Sequence, residues 1–158
     1  AGPGLQRGRV AEQLAGALLK NGNLLALDAA LLHALPAREK DAKRAEKQPI
    51  LLPHAGELAS LLECDAEEIE NDPLAAGRAC AERYDAVTLV KGVESFIVAP
   101  DGSAFHYAGG GPGLGISGSG DTLAGIVGGL LARGCDPLTA LLWGVWCHGE
   151  AGRRLGEK

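Results

Sequence analysis

The chain has 158 residues, 46% of them hydrophobic, which is enough for one domain with a buried core. No apolar run reaches the roughly 18 residues that a membrane-spanning helix needs, and residues 1–13 hold no apolar segment of signal-peptide type. A formal net charge of −5 with no basic patch argues against nucleic acid as the main partner.

Residues 7–20 (RGRVAEQLAGALLK) put Val10, Leu14 and Leu18 four apart, with Ala17 beside them. That spacing predicts a helix buried along this face. The NGN at 21–23 ends it. LLALDAALL then offers a short apolar run suited to a buried strand, with Asp28 at the strand end, where a helix over AALLHAL can start. Pro36 closes that helix, and REKDAKRAEK mixes both charges as a solvated segment. QPILLPHAGELASLL repeats the arrangement: a buried ILL strand, a turn at Pro53-His54, and Glu57 in the first turn of the next helix. Residues 65–83 predict a further helix with Pro73 near its start. AVTLVKG is a β-branched, apolar strand ended by Lys91-Gly92, and SFIVAPDGSAFHY reads as two short strands around a Pro/Gly turn. A glycine-rich loop leads into helix 121–133, and helix 137–155 follows, with Pro137 near its start.

Strands alternating with helices predict a parallel sheet covered on both faces. In such sheets ligands bind beyond the carboxyl ends of the strands. Asp28, His54 and Lys91 each follow a predicted strand and are expected to converge near the glycine loop. Cys64, Cys80, Cys135 and Cys147 have no zinc or redox spacing and read as reduced thiols of a cytosolic protein. The four histidines show no metal-ligand spacing either, so no metal site is expected.

The loop GGGPGLGISGSGD carries the chemistry. Glycine is costly to order, so a run of it is either floppy or held close to something a side chain would block. A helix N-terminus offers unpaired N–H groups and partial positive charge, and glycines let the backbone approach an anion. Gly118, Ser119 and Gly120 are therefore a candidate anion hole for a phosphate. Asp121 is an odd neighbour for a phosphate unless it is a base, taking a proton from a hydroxyl while the N–H groups hold the transferring phosphoryl. The alternative is a plain helix cap. Lys91 can reach a phosphate as a flexible point charge or be an exposed strand-end lysine. His54 can touch a substrate or be a surface turn residue.

Taken in order, ILLPHAGE, VTLVKGVESFIVAPDG and GPGLGISGSGDTLAGIVGGLLARG, with GPGL at residues 2–5 and LALDA, resemble the carbohydrate-kinase-like domain of the NAD(P)H-hydrate dehydratases, in the ribokinase-like superfamily. The resemblance covers nearly the whole chain. It implies an α/β fold, a three-layer sandwich whose mostly parallel sheet is covered by helices on both faces. It also implies a repair reaction: a nucleotide, ADP or ATP with Mg2+, is spent to remove water from hydrated NADH or NADPH, by phosphorylation of the ring hydroxyl and loss of phosphate. By position, Asp121 resembles the catalytic base and Gly120 the anion-hole glycine. Gly4, His54 and Asp121 resemble contacts to the hydrated dinucleotide, and Lys91, Gly92, Ser95 and Gly120 contacts to the nucleotide. The chain departs from the family pattern at Ala30, Leu52, Gly111, Ile116 and Ser117. Because the resemblance begins partway into that pattern, residues 1–158 are expected to be the C-terminal portion of a longer domain, with one open sheet edge. A cytoplasmic homo-oligomer is expected. Two other readings are a ribokinase-like kinase of a small alcohol, such as a vitamin precursor, and a non-catalytic nucleotide-binding relative.

Overall fold

A computed structural model describes residues 4, 8–20, 22–35 and 47–157. Five strands form one sheet in the order β1–β2–β3–β4–β5: β1 (Ala26–Leu27), β2 (Ile50–Leu51), β3 (Val87–Val90), β4 (Ser95–Val98) and β5 (Ala104–Tyr107). The first three are parallel, and β4 and β5 are added antiparallel. The β4–β5 turn closes with Gly102 at φ 91°, donating its N–H to Ala99 at 3.0 Å; glycine takes that left-handed conformation without strain. Among the described residues β1 is an edge strand, as the sequence predicts.

The helices are α1 (Arg9–Lys20), α2 (Ala55–Leu62), α3 (Ala66–Asn71), α4 (Pro73–Tyr84), α5 (Ser119–Ala132) and α6 (Pro137–Gly156). They form two layers. One core joins Ala11, Ala15, Leu51, Leu58, Cys80 and Val90 on the α1, α2 and α4 face. The other joins Ile50, Leu52, Val87, Leu89, Val127 and Leu141 on the α5 and α6 face. Successive residues of β2 alternate between the two cores, which is the period-two geometry of a strand buried on both sides. The three-layer α/β sandwich is the predicted one.

Three expectations need correction. α1 buries Ala11 and Ala15 instead of the Val10–Leu14 face, and Val10 and Leu14 are exposed. The helix seats its small residues inward, where they allow close approach to the segment after β1. That segment is a 3₁₀ helix (Ala29–Ala34) and not an α-helix. Leu31 and Leu32 are both fully buried, and packing of adjacent residues overrides helical spacing in so short a piece. The single helix over 65–83 is two, broken at Asp72. A residue before proline avoids the α conformation, and Asp72 (φ −141°, ψ 75°) caps α4 by accepting the Ala75 N–H at 2.9 Å. Pro36 and residues 38–46 of the charged segment lie outside the described residues.

The second layer is tight because it uses glycine. A Cβ on Gly144 of α6 would meet the Val127 side chain of α5, and one on Gly152 would meet Leu114. These close approaches set α6 across the end of the glycine loop. Among the described residues no helix is long and apolar enough to cross a membrane.

Candidate active site

The three strand-end residues meet. β1 delivers Asp28, which is buried and accepts the Ala29 N–H at 2.9 Å. β3 delivers Lys91, whose Nζ donates to Asp28 Oδ1 at 3.1 Å. Beyond β2, His54 pairs with Lys91 in one further parallel bridge, and the Lys91 N–H reaches the Pro53 carbonyl at 3.2 Å. Ala29 stands at φ 52°, a left-handed conformation that strains any residue with a Cβ. The strain falls beside the buried carboxylate.

His54 has a structural task as well. Its Nδ1 accepts the N–H groups of Gly56 (3.1 Å) and Glu57 (3.3 Å), while Glu57 accepts the His54 N–H at 3.0 Å. This reciprocal cap starts α2. It fixes the imidazole with Nδ1 as acceptor, so Nε2 is the edge left for another partner, with Glu57 Oε2 at 3.5 Å.

α5 begins at Gly118, in the left-handed region at φ 85°, with no side-chain cap. Ser119 donates its N–H to Ile116 at 3.2 Å and Thr122 to Gly118 at 3.0 Å. The N–H groups of Gly120 and Asp121 have no partner among the described residues. An ideal Cβ on Gly120 would lie 3.8 Å from Lys91 Nζ and 4.0 Å from Asp28 Oδ2. The helix N-terminus, the lysine and the carboxylate therefore share one corner.

That corner opens into a cleft of about 910 Å³ whose walls include His54, Lys91, Gly92, Ser95, Ser119 and Gly120. The volume lies at the upper end of the range for ligand pockets. Gly118 and Asp121 are adjoining residues of the turn but are not among those lining the cleft; Asp121 is exposed, and its carboxylate has no partner among the described residues. Gly4 is exposed at φ 78° and does not line the cleft.

Two cleft residues escaped the sequence reading. Tyr107, at the end of β5, packs in a slot formed by Gly109 and Gly149, where a Cβ on either would collide with its ring. His148 reaches in from α6, and its Nε2 lies 3.0 Å from Ser119 Oγ. Burial holds its imidazole below the ordinary histidine range. The signal for this face was the spacing of Gly144, Gly149 and Gly152 in one long helix, where each glycine is costly without a packing reason.

Among the described residues no group of three or more His, Cys, Asp or Glu gathers to hold a metal.

The NAD(P)H-hydrate dehydratase (Carb_kinase) family model matches residues 1–158. An ADP-dependent (S)-NAD(P)H-hydrate dehydratase of Xanthomonas campestris pv. campestris is 50% identical over 109 residues, 69% of this chain and 38% of that protein. One of the same description from Neisseria meningitidis serogroup B is 36% identical over 160 residues, 99% of this chain and 54% of that protein. The ADP/ATP-dependent NAD(P)H-hydrate dehydratase of Bacillus subtilis, co-crystallized with ATP/Mg2+, superposes with a TM-score of 0.83 at 31% identity, over 94% of this chain and 52% of that one. The chain thus spans about half the length, or less, of the relatives it matches. With the family model covering every residue, and the strand ends and glycine loop converging as its motifs imply, the chain belongs to the NAD(P)H-hydrate dehydratase family.

Proposed function

We propose that this chain carries the phosphoryl-transfer site of an ADP- or ATP-dependent NAD(P)H-hydrate dehydratase. The observation that carries the reading is the pair of N–H groups at Gly120 and Asp121 that lack a partner among the described residues, beside Lys91, at the mouth of a cleft of about 910 Å³. Lys91, Gly92, Ser95 and Gly120 hold the nucleotide phosphates, with Mg2+ neutralising charge on them. Gly4, His54 and Asp121 hold the hydrated dinucleotide.

Hydroxide is a poor leaving group and a phosphate ester a good one. Asp121 takes the proton of the ring hydroxyl as its oxygen attacks the terminal phosphorus. Within the predicted anion hole the N–H groups of Gly120 and of the adjoining Asp121 stabilise charge on the transferring oxygens, and Ser119, whose N–H is taken by Ile116, offers its hydroxyl. Phosphate then leaves with the electron pair of the ring C–O bond, and loss of a proton from the adjacent ring carbon to water restores the double bond of the reduced ring. All four cysteines are free thiols, which suits a reducing, cytoplasmic setting. We also propose a homo-oligomer, for which the exposed Trp143 and Trp146 of α6, in edge-to-face contact at 5.6 Å, supply apolar surface.

The test is to give the protein hydrated NADPH with and without ADP or ATP and follow NADPH absorbance. The expected result is recovery that requires the nucleotide. Accumulation of a stable phosphate ester with no NADPH would favour a kinase instead. Nucleotide binding without turnover of either kind would select a non-catalytic relative.

A further inference from the structure

His148 belongs to none of the roles above, yet it lines the cleft from α6, an element that supplies none of the proposed contacts. Its Nε2 and Ser119 Oγ are 3.0 Å apart, and Ser119 is the first residue of α5, directly before the unpartnered N–H groups. The Ser119 N–H is already committed to Ile116, so its hydroxyl is what it can offer a ligand. A hydroxyl has one proton. When Nε2 accepts that proton, the hydroxyl presents only lone pairs to the cleft, which an anion avoids. When Nε2 carries a proton, as the imidazolium or as the neutral Nε2–H tautomer, it donates to Oγ, and the hydroxyl proton is freed to point at an anion; an added phosphate charge favours the imidazolium of the two.

We infer that His148 is a positioning residue for the phosphate site, acting through Ser119, and that binding of a nucleotide phosphate is coupled to uptake of a proton at His148 Nε2. The inference rests on the reading that the α5 turn holds phosphate.

The protein surroundings disfavour the charged form of His148. Burial disfavours the imidazolium, and a contact with the Ser119 backbone opposes this more weakly. The other titratable groups lining the cleft are Lys91, His54 and Tyr107. Asp121 stands two residues from Ser119 in the same turn. On its own helix the nearest charge, Glu150, is taken up by Arg153 and Arg154. An arriving phosphate adds negative charge and an acceptor, both of which favour the protonated form. Since binding raises the histidine pKa, affinity must rise as pH falls and decline as pH rises through the bound-state value.

The experiment is calorimetric titration of ADP into the protein between pH 6 and 8, in buffers of differing ionisation enthalpy, with His148→Gln, Ser119→Ala and Lys91→Ala beside it. Gln keeps a hydrogen-bonding partner for Ser119 and cannot titrate. The His148→Gln data also subtract the titration of ADP itself. The unaltered protein should take up a fraction of a proton beyond that of His148→Gln. Its affinity should gain over the variant on going from pH 8 to 6, by part of the roughly three- to tenfold ceiling that a half- to one-unit pKa rise sets at pH below the free-state value. Ser119→Ala should lose the same linkage with His148 present, an outcome that a purely structural histidine would not produce. Equal proton uptake in the protein and His148→Gln overturns the inference, as does linkage that survives in Ser119→Ala. If Lys91→Ala binds ADP as well as the unaltered protein, the phosphate reading itself fails. Weakened ADP binding by Lys91→Ala with no His148 linkage defeats only the inference, and absence of ADP binding by the unaltered protein overturns both.

Discussion

Asp121→Asn is expected to keep the fold and lower turnover of hydrated NADPH about 10²–10⁴-fold, the usual cost of losing a general base. The asparagine has nearly the same shape, and Asp121 makes no hydrogen bond or ion pair among the described residues that the change would break. Its cost to stability should therefore be small. Nucleotide affinity should hold or improve, since a negative charge leaves the neighbourhood of the phosphates. Steady-state kinetics with hydrated NADPH and ADP or ATP decide the matter. Near-normal turnover would remove Asp121 from the chemistry and leave it a first-turn acid that only favours the α5 dipole.

Lys91→Ala should weaken ADP or ATP about ten- to a hundredfold, as loss of a charge-assisted contact does, and leave the hydrated dinucleotide much less affected. It should also destabilise the fold by about 1–3 kcal/mol, because Asp28 would remain buried with its cation gone. The two effects separate in the double variant. Adding Asp28→Asn removes the stranded charge while keeping an acceptor for the Ala29 N–H, so stability should largely return and nucleotide affinity should not. Denaturant melts and calorimetry on Lys91→Ala and the double variant check this. Return of both together would mean that Lys91 serves the fold alone.

The residues that the sequence brought to this corner did so for one reason: in a parallel sheet the strand ends share an edge. Asp28, His54 and Lys91 each closed an apolar run, so their meeting around Lys91 was readable without any contact known. The glycine turn was readable because unpaired N–H groups at a helix start are a local property. Helix faces were less so. Val10 and Leu14 have the right spacing for a core, yet the alanines of α1 were chosen by tertiary fit. The break at Asp72 follows from Pro73 and was legible in principle. His148 and Tyr107 were not, because only the packing of α6 against Leu114 and Tyr107 brings that helix over the cleft.

The route of the oxygen tests the central claim most directly. Hydrated NADPH can be labelled with a heavy oxygen isotope at the ring hydroxyl and turned over with ADP or ATP. If the cleft transfers a phosphoryl group to that hydroxyl, the released phosphate carries the label, one atom for each NADPH restored. Label found in water, with unlabelled phosphate, would show that the ring loses its hydroxyl without being phosphorylated and would contradict the account.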